Sequence, residues 1–323
     1  MIRNRRVFIT GGAGFIGATI AERLVDENEI VIFDNFSRDS ISSRPVAQHP
    51  NLRIVRGDVT DAASVSSAMR EANPSIVVHL AGIAGIDTVV ISPTRTMRVN
   101  LIGTVNAVAA AQELPNLERF IDFSTSEVFG SAFRAGESDS SSIGAVGEAR
   151  WIYAVSKLAG EHLVYAYHKE FGMPTVTLRP FNVYGPGQVG EGAIHRFIAA
   201  AIEGRPLEIH GDGTQIRAWC YVDDMVEGVM TALEHPNAIG HSFNIGNARA
   251  VVTIYGLASA IVRVVGNQNE IRFVRKDYAD IELRVPNVDK ARELIGFEAK
   301  VDLEEGLRRT AAYYRERRKL SGS

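Results

Sequence analysis

Close to the amino end of the chain, an apolar run, Val7-Phe8-Ile9-Thr10, leads straight into Gly11-Gly12-Ala13-Gly14-Phe15-Ile16-Gly17. Apolar residues then recur at helical spacing from Gly14 to Asp26, so the glycines occupy the turn between a strand and a helix. Gly11 permits a tight turn, Gly14 lets a backbone approach a pyrophosphate, and Gly17 allows helix and strand to pack closely. The helix amino end, with its unpaired N–H groups, then faces the phosphates. The next strand, Ile30 to Asp34, ends roughly 20 residues on in Asp34, whose carboxylate can accept hydrogen bonds from a ribose diol and repels a 2′-phosphate. That favours NAD over NADP. Arg38 is the dissenting residue, because an arginine here can accommodate a phosphate.

The pattern continues with strands expected at Val7 to Thr10, Ile30 to Asp34, Arg53 to Arg56, Ile76 to Leu80, Phe120 to Ser124 and Thr175 to Arg179. Helices are expected at Gly14 to Asp26, Ala62 to Ala72, Thr94 to Glu113 and Tyr153 to Phe171. Strand-helix alternation of this kind predicts an α/β fold, a Rossmann doubly wound parallel sheet, with a smaller C-terminal substrate-binding lobe. The expected division is a dinucleotide-binding domain over 1–180 and a mainly substrate-binding lobe over 181–323, some of whose segments return to the first domain. Beyond Pro180 the chain turns to Gly- and Pro-rich loops with shorter helices between them. Ser131 to Arg150 is polar and reads either as a mobile lid or as a plain solvated loop. The basic, polar tail from Arg315 to Ser323 is assigned no role.

Composition closes off several functional classes. A net charge of −3 over 323 residues, with Lys and Arg scattered, gives no footprint for nucleic acid. A single cysteine, Cys220, excludes an intramolecular disulfide and a thiolate cluster, and reads as a buried small hydrophobe. His79, His195 and the other histidines lack metal-ligand spacing, so no metal is expected. The apolar run after the basic amino end is too short for a signal sequence, and no stretch has membrane-spanning length. The expectation is a cytoplasmic protein without a membrane partner.

Parallel strands carry ligands at their carboxyl edge. There lie Asp58 and Val59 after the third strand, with Asp58 placed to meet an adenine, and Leu80, Ala81 and Gly82 at the end of the fourth. With Phe15, Ile16, Asn35 and Asn100 they complete the candidate cofactor-binding set. The chemical centre is expected on the helix from Tyr153, where Tyr153 and Lys157 lie one turn apart on one face. A lysine ammonium beside a phenol favours the phenolate and makes it a general base. Ser124-Thr125-Ser126-Glu127 brings hydroxyls that can share the proton and a carboxylate for a second step to the same edge.

The segments GGAGFIG (Gly11 to Gly17), STSEVFG (Ser124 to Gly130), YAVSK (Tyr153 to Lys157), RPFNVYGPG (Arg179 to Gly187), GDGTQIRAWCYVDD (Gly211 to Asp224) and NIGN (Asn244 to Asn247) span almost the whole chain. Together they resemble the extended short-chain dehydrogenases/reductases that modify nucleotide-sugars, with a particular likeness to the UDP-glucuronic acid decarboxylases. The resemblance implies that Tyr153 removes a sugar hydroxyl proton as hydride passes to NAD, that Lys157 holds the nicotinamide ribose, and that Thr125 hydrogen-bonds the sugar. It implies that Asn182 and Arg217 contact the nucleotide diphosphate, and that the helices Thr94 to Glu113 and Tyr153 to Phe171 pair into a homodimer's four-helix bundle.

Members of that family share a 4-keto intermediate and then diverge into epimerases, 4,6-dehydratases and decarboxylases. Arg150-Trp151-Ile152-Tyr153, Ser126-Glu127 and Asp280 to Pro286 resemble the decarboxylases, with Arg284 as the cation that stabilises the enolate left by carbon dioxide. The loop Gly187 to Phe197 looks more like an epimerase. Glu127 also reads as a helix cap or the partner of a basic neighbour, and Arg284 as half of a solvated ion pair with Asp280. The expected substrate is a nucleotide-sugar, UDP-linked. A non-catalytic nucleotide-binding regulator on the same fold is the reading from another class, and intact Thr125, Tyr153 and Lys157 argue against it.

Overall fold

The computed structural model describes residues 2–131, 135–275 and 281–321. Seven strands form one parallel sheet: β1 (Arg6–Thr10), β2 (Glu29–Asp34), β3 (Leu52–Arg56), β4 (Ile76–His79), β5 (Arg119–Phe123), β6 (Thr175–Pro180) and β7 (His241–Ile245). Their spatial order is β7-β6-β5-β4-β1-β2-β3. The order reverses between β1 and β4, which places a ligand crevice at the carboxyl ends of those two strands. The sheet is thus the Rossmann type expected, with one strand more than the alternation predicts. β7 escaped notice because His241-Ser242-Phe243-Asn244-Ile245 mixes polar and apolar residues, as befits an edge strand paired on one side to β6.

The central strands are apolar on both faces because helices cover both. One layer holds α1 (Phe15–Leu24), against which Val222–Glu234 packs; the other holds α2 (Ala62–Ala72), Gly103–Gln112 and Trp151–Phe171. Ile9, Ile32, Val78 and Ile121 face the first layer, and Phe8, Val77 and Phe120 face the second. A separate apolar cluster of Ile194, Phe197, Trp219, Leu257, Ile261 and Leu307 forms the heart of the C-terminal lobe.

Two expected elements differ. The helix foreseen from Thr94 to Glu113 is divided into Pro93–Met97, a wider π-type turn at Arg98–Ile102, and Gly103–Gln112. Such a bulge in a helix re-aims the side chains within it and is common at functional sites; here it carries Asn100. The region beyond Pro180 contains long helices as well as short ones, notably Val222–Glu234 and Leu303–Ser321. The basic tail is largely the end of the latter, its stripe of Leu307 and Ala311 buried in the lobe. No described helix is long and apolar enough to cross a membrane.

Candidate active site

A cavity of about 630 Å³ opens at the β1/β4 switch point. Gly11, Gly14, Phe15, Ile16 and Gly17 line one end with Asp34 and Asn35, while Thr125, Ser126, Glu127, Tyr153 and Asn182 line the other. One crevice therefore joins the candidate cofactor loop to the candidate chemical centre, and its size is ordinary for a ligand site.

The glycine loop fits a dinucleotide. Gly11 has φ of +70°, a conformation that an L side chain resists, and a Cβ there would stand 2.6 Å from the Ala81 nitrogen. At Gly17 a Cβ would stand 2.6 Å from the Cα of Gly12. The first turn of α1 has neither a side-chain cap nor an acidic residue, which leaves its amides to an anion such as a pyrophosphate. Asp34 is mostly buried and accepts from the Ala13 amide at 3.0 Å and the Phe36 amide at 2.7 Å, so it braces the loop as well as facing the cavity. Burial raises its carboxyl above the ordinary value against the pull of those amides. Asp58 is held by the Thr60 amide at 2.9 Å and by Asn35 at 3.1 Å, and the Thr60 amide keeps it below the usual carboxylate range. Val59, Leu80, Ala81 and Gly82 line the cavity; Asp58 does not.

Asn100 is not among the residues lining the cavity. Fully buried, it accepts from the Ile83 amide at 2.7 Å and donates to the Ile83 carbonyl and the Ser156 hydroxyl, both at 3.1 Å. It fixes the loop after β4 to the Trp151–Phe171 helix. His79 belongs to the same buried network, hydrogen-bonded to Thr10 at 2.7 Å and Thr104 at 3.2 Å, and burial pushes its ring down to about 3, so it stays neutral.

Tyr153 and Thr125 line the cavity together, and burial pushes the Tyr153 phenol up to about 12; Thr125 and Arg38 pull it down, and Glu127 adds to the rise. Lys157 is the cation expected to favour the phenolate. Its ammonium is buried and donates to the Phe123 carbonyl at 2.6 Å, and burial of the phenol outweighs any opposing charge. Lys157 Nζ lies just behind Gly82, 3.3 Å from where a Cβ on that glycine would stand. The absence of a side chain there is what leaves the lysine next to the cavity.

Glu127 faces the cavity in the short turn Ser126–Phe129 and pairs with Arg150 at 3.6 Å. Arg150, at the start of the catalytic helix, also stacks its guanidinium 4.5 Å from the Trp151 ring. The signal for Arg150 in the sequence is its position three residues before Tyr153. Two arginines expected to touch substrate are placed elsewhere. Arg284 is fully buried, donates to the Gly130 carbonyl at the end of the Glu127 turn, and is not among the residues lining the cavity. Its burial overturns the solvated-pair reading, and Asp280 lies outside the described residues. Arg217 is beside Arg284 in the adjoining strand pair, with Nη1 donating to the Ile216 carbonyl at 2.9 Å, and also lies outside the lining. Asn182 does line the cavity, at φ of +41°, a conformation asparagine tolerates, and donates to the Ala218 carbonyl at 2.8 Å. In the polar Ser131 to Arg150 stretch, Ser131 and Ser142 pair by backbone at 2.9 Å and Glu137 accepts from the Asn244 amide at 2.8 Å, so its described parts are tethered to the body.

The C-terminal lobe reaches over the cavity through Gly185 to Gly192. Gln188 and Val189 form part of the lining, the Ser40 hydroxyl donates to the Gly187 carbonyl at 2.7 Å, and Tyr314 from the last helix donates to Gln188 at 2.7 Å. Glu191 accepts the amides of Asp87 and Thr88 at 3.1 and 3.2 Å and faces Arg38 at 3.8 Å. Arg38 itself donates to the Ala84 carbonyl at 2.7 Å.

A family model, the NAD dependent epimerase/dehydratase family, matches residues 7–246. This chain belongs to that family. Among its relatives, UDP-glucuronic acid decarboxylase 6 of Arabidopsis thaliana is 33% identical over 94% of this chain and 87% of its own length. UDP-N-acetyl-alpha-D-glucosaminuronate decarboxylase of Bacillus cytotoxicus is 33% identical over 97% of this chain and 98% of its own. The solved structure of UDP-glucuronic acid 4-epimerase from Bacillus cereus, in complex with UDP-glucuronic acid and NAD, superposes with a TM-score of 0.85 at 30% identity, covering 96% of this chain and 99% of that one. As a member of the epimerase/dehydratase family, this protein is an enzyme that uses NAD.

Asp34 opposes a 2′-phosphate, and Arg38, the group that could welcome one, is already engaged by Glu191 and Ala84. NAD is therefore expected to bind at least about tenfold more tightly than NADP, a difference of roughly 1.4 kcal/mol, in equilibrium titrations of the two. Equal affinities would show that Arg38 governs the ribose pocket.

Proposed function

We propose that this enzyme decarboxylates a UDP-linked uronic acid by way of a transient 4-keto sugar. The observation that carries the reading is the grouping of Thr125, Ser126, Glu127 and Tyr153 on one wall of the cavity, with Arg150 against Glu127. The decarboxylase relatives, similar over nearly the whole chain, support it.

NAD, held by the glycine loop and Asp34, would supply the hydride acceptor for oxidation at the sugar C4 and the donor for its reversal. Tyr153 receives the C4 hydroxyl proton, and Thr125, beside it on the cavity wall, aligns hydroxyl and phenol. Because burial holds the phenol at about 12, proton transfer in this site needs positive charge close to Tyr153, and Lys157 is the buried cation one turn away on the same helix. With a ketone at C4, the C5 carboxylate is β to a carbonyl, so the carbon–carbon bond breaks with its electron pair passing to an enolate. Ser126 and the Arg150–Glu127 pair are the polar groups facing that charge, and Glu127 is the group that relays a proton to C5. Arg284 supports the turn carrying Glu127 through the Gly130 carbonyl. Asn182 orients the nucleotide diphosphate. Arg217, in the strand beside Arg284, would have to reorient to reach it.

We also propose a homodimer formed through Gly103–Gln112 and Trp151–Phe171. Val105, Val155, Tyr165 and Phe171 expose apolar surface on these two helices, and such patches mark interfaces. Light scattering at micromolar concentration is expected to return twice the chain mass; a monomer mass contradicts the assembly.

Incubation of the purified enzyme with UDP-glucuronic acid and its N-acetylated glucosaminuronate analogue, followed by mass spectrometry, is expected to give a product lighter by one carbon dioxide. A product of unchanged mass identifies an epimerase, and loss of water a dehydratase. Glu127→Gln is expected to slow release of carbon dioxide by about 10²-fold or more while the bound NAD is still reduced in a single turnover.

A further inference from the structure

Behind the cavity wall, the second helical layer covers a cluster of ionisable groups that the reaction scheme leaves unused. Asp122 on β5 is the least explained of them. Its relative exposure is 2%, and within the sheet it stands between His79 of β4 and Thr177 of β6. Among the described residues its Oδ1 has no hydrogen-bond partner. The position is a strand interior where an apolar or β-branched residue would satisfy packing, and a buried carboxyl without a full set of donors costs stability. Groups that reduce stability in this way concentrate where function needs them.

The neighbours indicate what that function is. The carbonyl of the very next residue, Phe123, receives the Lys157 ammonium at 2.6 Å. Lys157 is itself 5% exposed and stands behind Gly82 on the cavity floor. The other charged groups facing the cluster are already matched or neutral. On the same helix, Glu161 is bound by Arg179 of β6 through Nε at 3.0 Å and Nη2 at 2.7 Å, so that pair neutralises itself. His79, on β4, is neutral. The negative charge left over for Lys157 is that of Asp122.

We propose that Asp122 is a positioning residue of the reaction centre, whose carboxylate keeps Lys157 charged and directed at the cavity floor. Burial lowers the lysine below its ordinary value, while Asp122 and then Glu161 oppose the fall. Burial in turn pushes Asp122 up to about 7, with Lys157 pulling it down and Glu161 adding to the rise. Asp122 accordingly gains its charge across neutral pH, and the hold on Lys157 strengthens as it does. The same shift has a stability consequence. Between the ordinary aspartate value and about 7 the folded chain binds a proton that the unfolded chain has released, so this residue makes stability fall as pH rises through that window.

The test compares wild type with Asp122→Asn. Lysine-selective ¹⁵N NMR, with Lys157 assigned through Lys157→Met, is expected to show Lys157 losing its proton about one pH unit or more lower in Asp122→Asn. Infrared difference spectra are expected to contain the carbonyl stretch of a protonated buried carboxyl that disappears near neutral pH in wild type and is missing from the variant. Consumption of UDP-glucuronic acid, followed as substrate loss whatever the product, is expected to retain its acid limb while its alkaline limb moves down by a similar amount. The variant's thermal midpoint at alkaline pH is expected to equal or exceed that of wild type. Identical Lys157 titrations, or activity lost equally at every pH together with a lowered midpoint, would overturn the proposal and leave Asp122 a structural residue. If the Asn variant does not fold, Asp122→Thr, suited to a strand, gives the same comparison. The two spectroscopic measurements need no substrate, so failure to consume UDP-glucuronic acid counts against the uronic acid reading and not against this one.

Discussion

Lys157 is buried where the Trp151–Phe171 helix crosses the carboxyl ends of β4 and β5, and a charge in such a place is tolerated only if it is partnered. The bond to the Phe123 carbonyl anchors the helix to the strand, and the helix brings Tyr153 to the cavity one turn earlier. From the other side, Asn100 ties Ser156 of that helix to the loop after β4, which also faces the cavity. The reaction centre is therefore rigid for the same reasons that the sheet is: its side chains are held by backbone carbonyls and amides of the central strands. Such support lets binding energy go into orientation.

Around this centre, the C-terminal lobe contributes the segment that closes one side of the cavity. Gly185 to Gly192 spans the cavity, fastened by Ser40, by Glu191 on the Asp87 and Thr88 amides, and by Tyr314. The Glu191 and Tyr314 contacts are part-buried and the Ser40 contact is buried; for the buried Glu161–Arg179 pair, removal of one partner is expected to cost about 3–5 kcal/mol.

Much of this was legible in the sequence, for identifiable reasons. Gly11, Gly14 and Gly17 announce the dinucleotide loop, with a side chain at Gly11 or Gly17 meeting backbone at 2.6 Å, and strongly apolar strands such as Ile76-Val77-Val78 announce the parallel sheet. Thr125, Glu127 and Tyr153 were placed by spacing on adjacent elements and do meet at one cavity. The failures share a cause: tertiary neighbours decided the outcome. Periodicity could not reveal the π-type turn at Arg98–Ile102, nor that Asn100 braces the loop after β4. Arg284 and Arg217 belong to a small three-stranded sheet built from segments distant in sequence, which local pattern does not disclose. Asp122 carries no signal in the sequence, because its burial and its place beside the Phe123 carbonyl that holds Lys157 come from the packing of the helix on the sheet.

The central claim is that Tyr153 takes the sugar proton within a site already assembled for it. Tyr153→Phe removes the acceptor and leaves the ring, so single-turnover absorbance in the NADH band after addition of UDP-glucuronic acid addresses that claim most directly. The account predicts that the variant binds NAD as wild type does and reduces it at least about 10²-fold more slowly. Reduction of NAD at a near wild-type rate by Tyr153→Phe would contradict it.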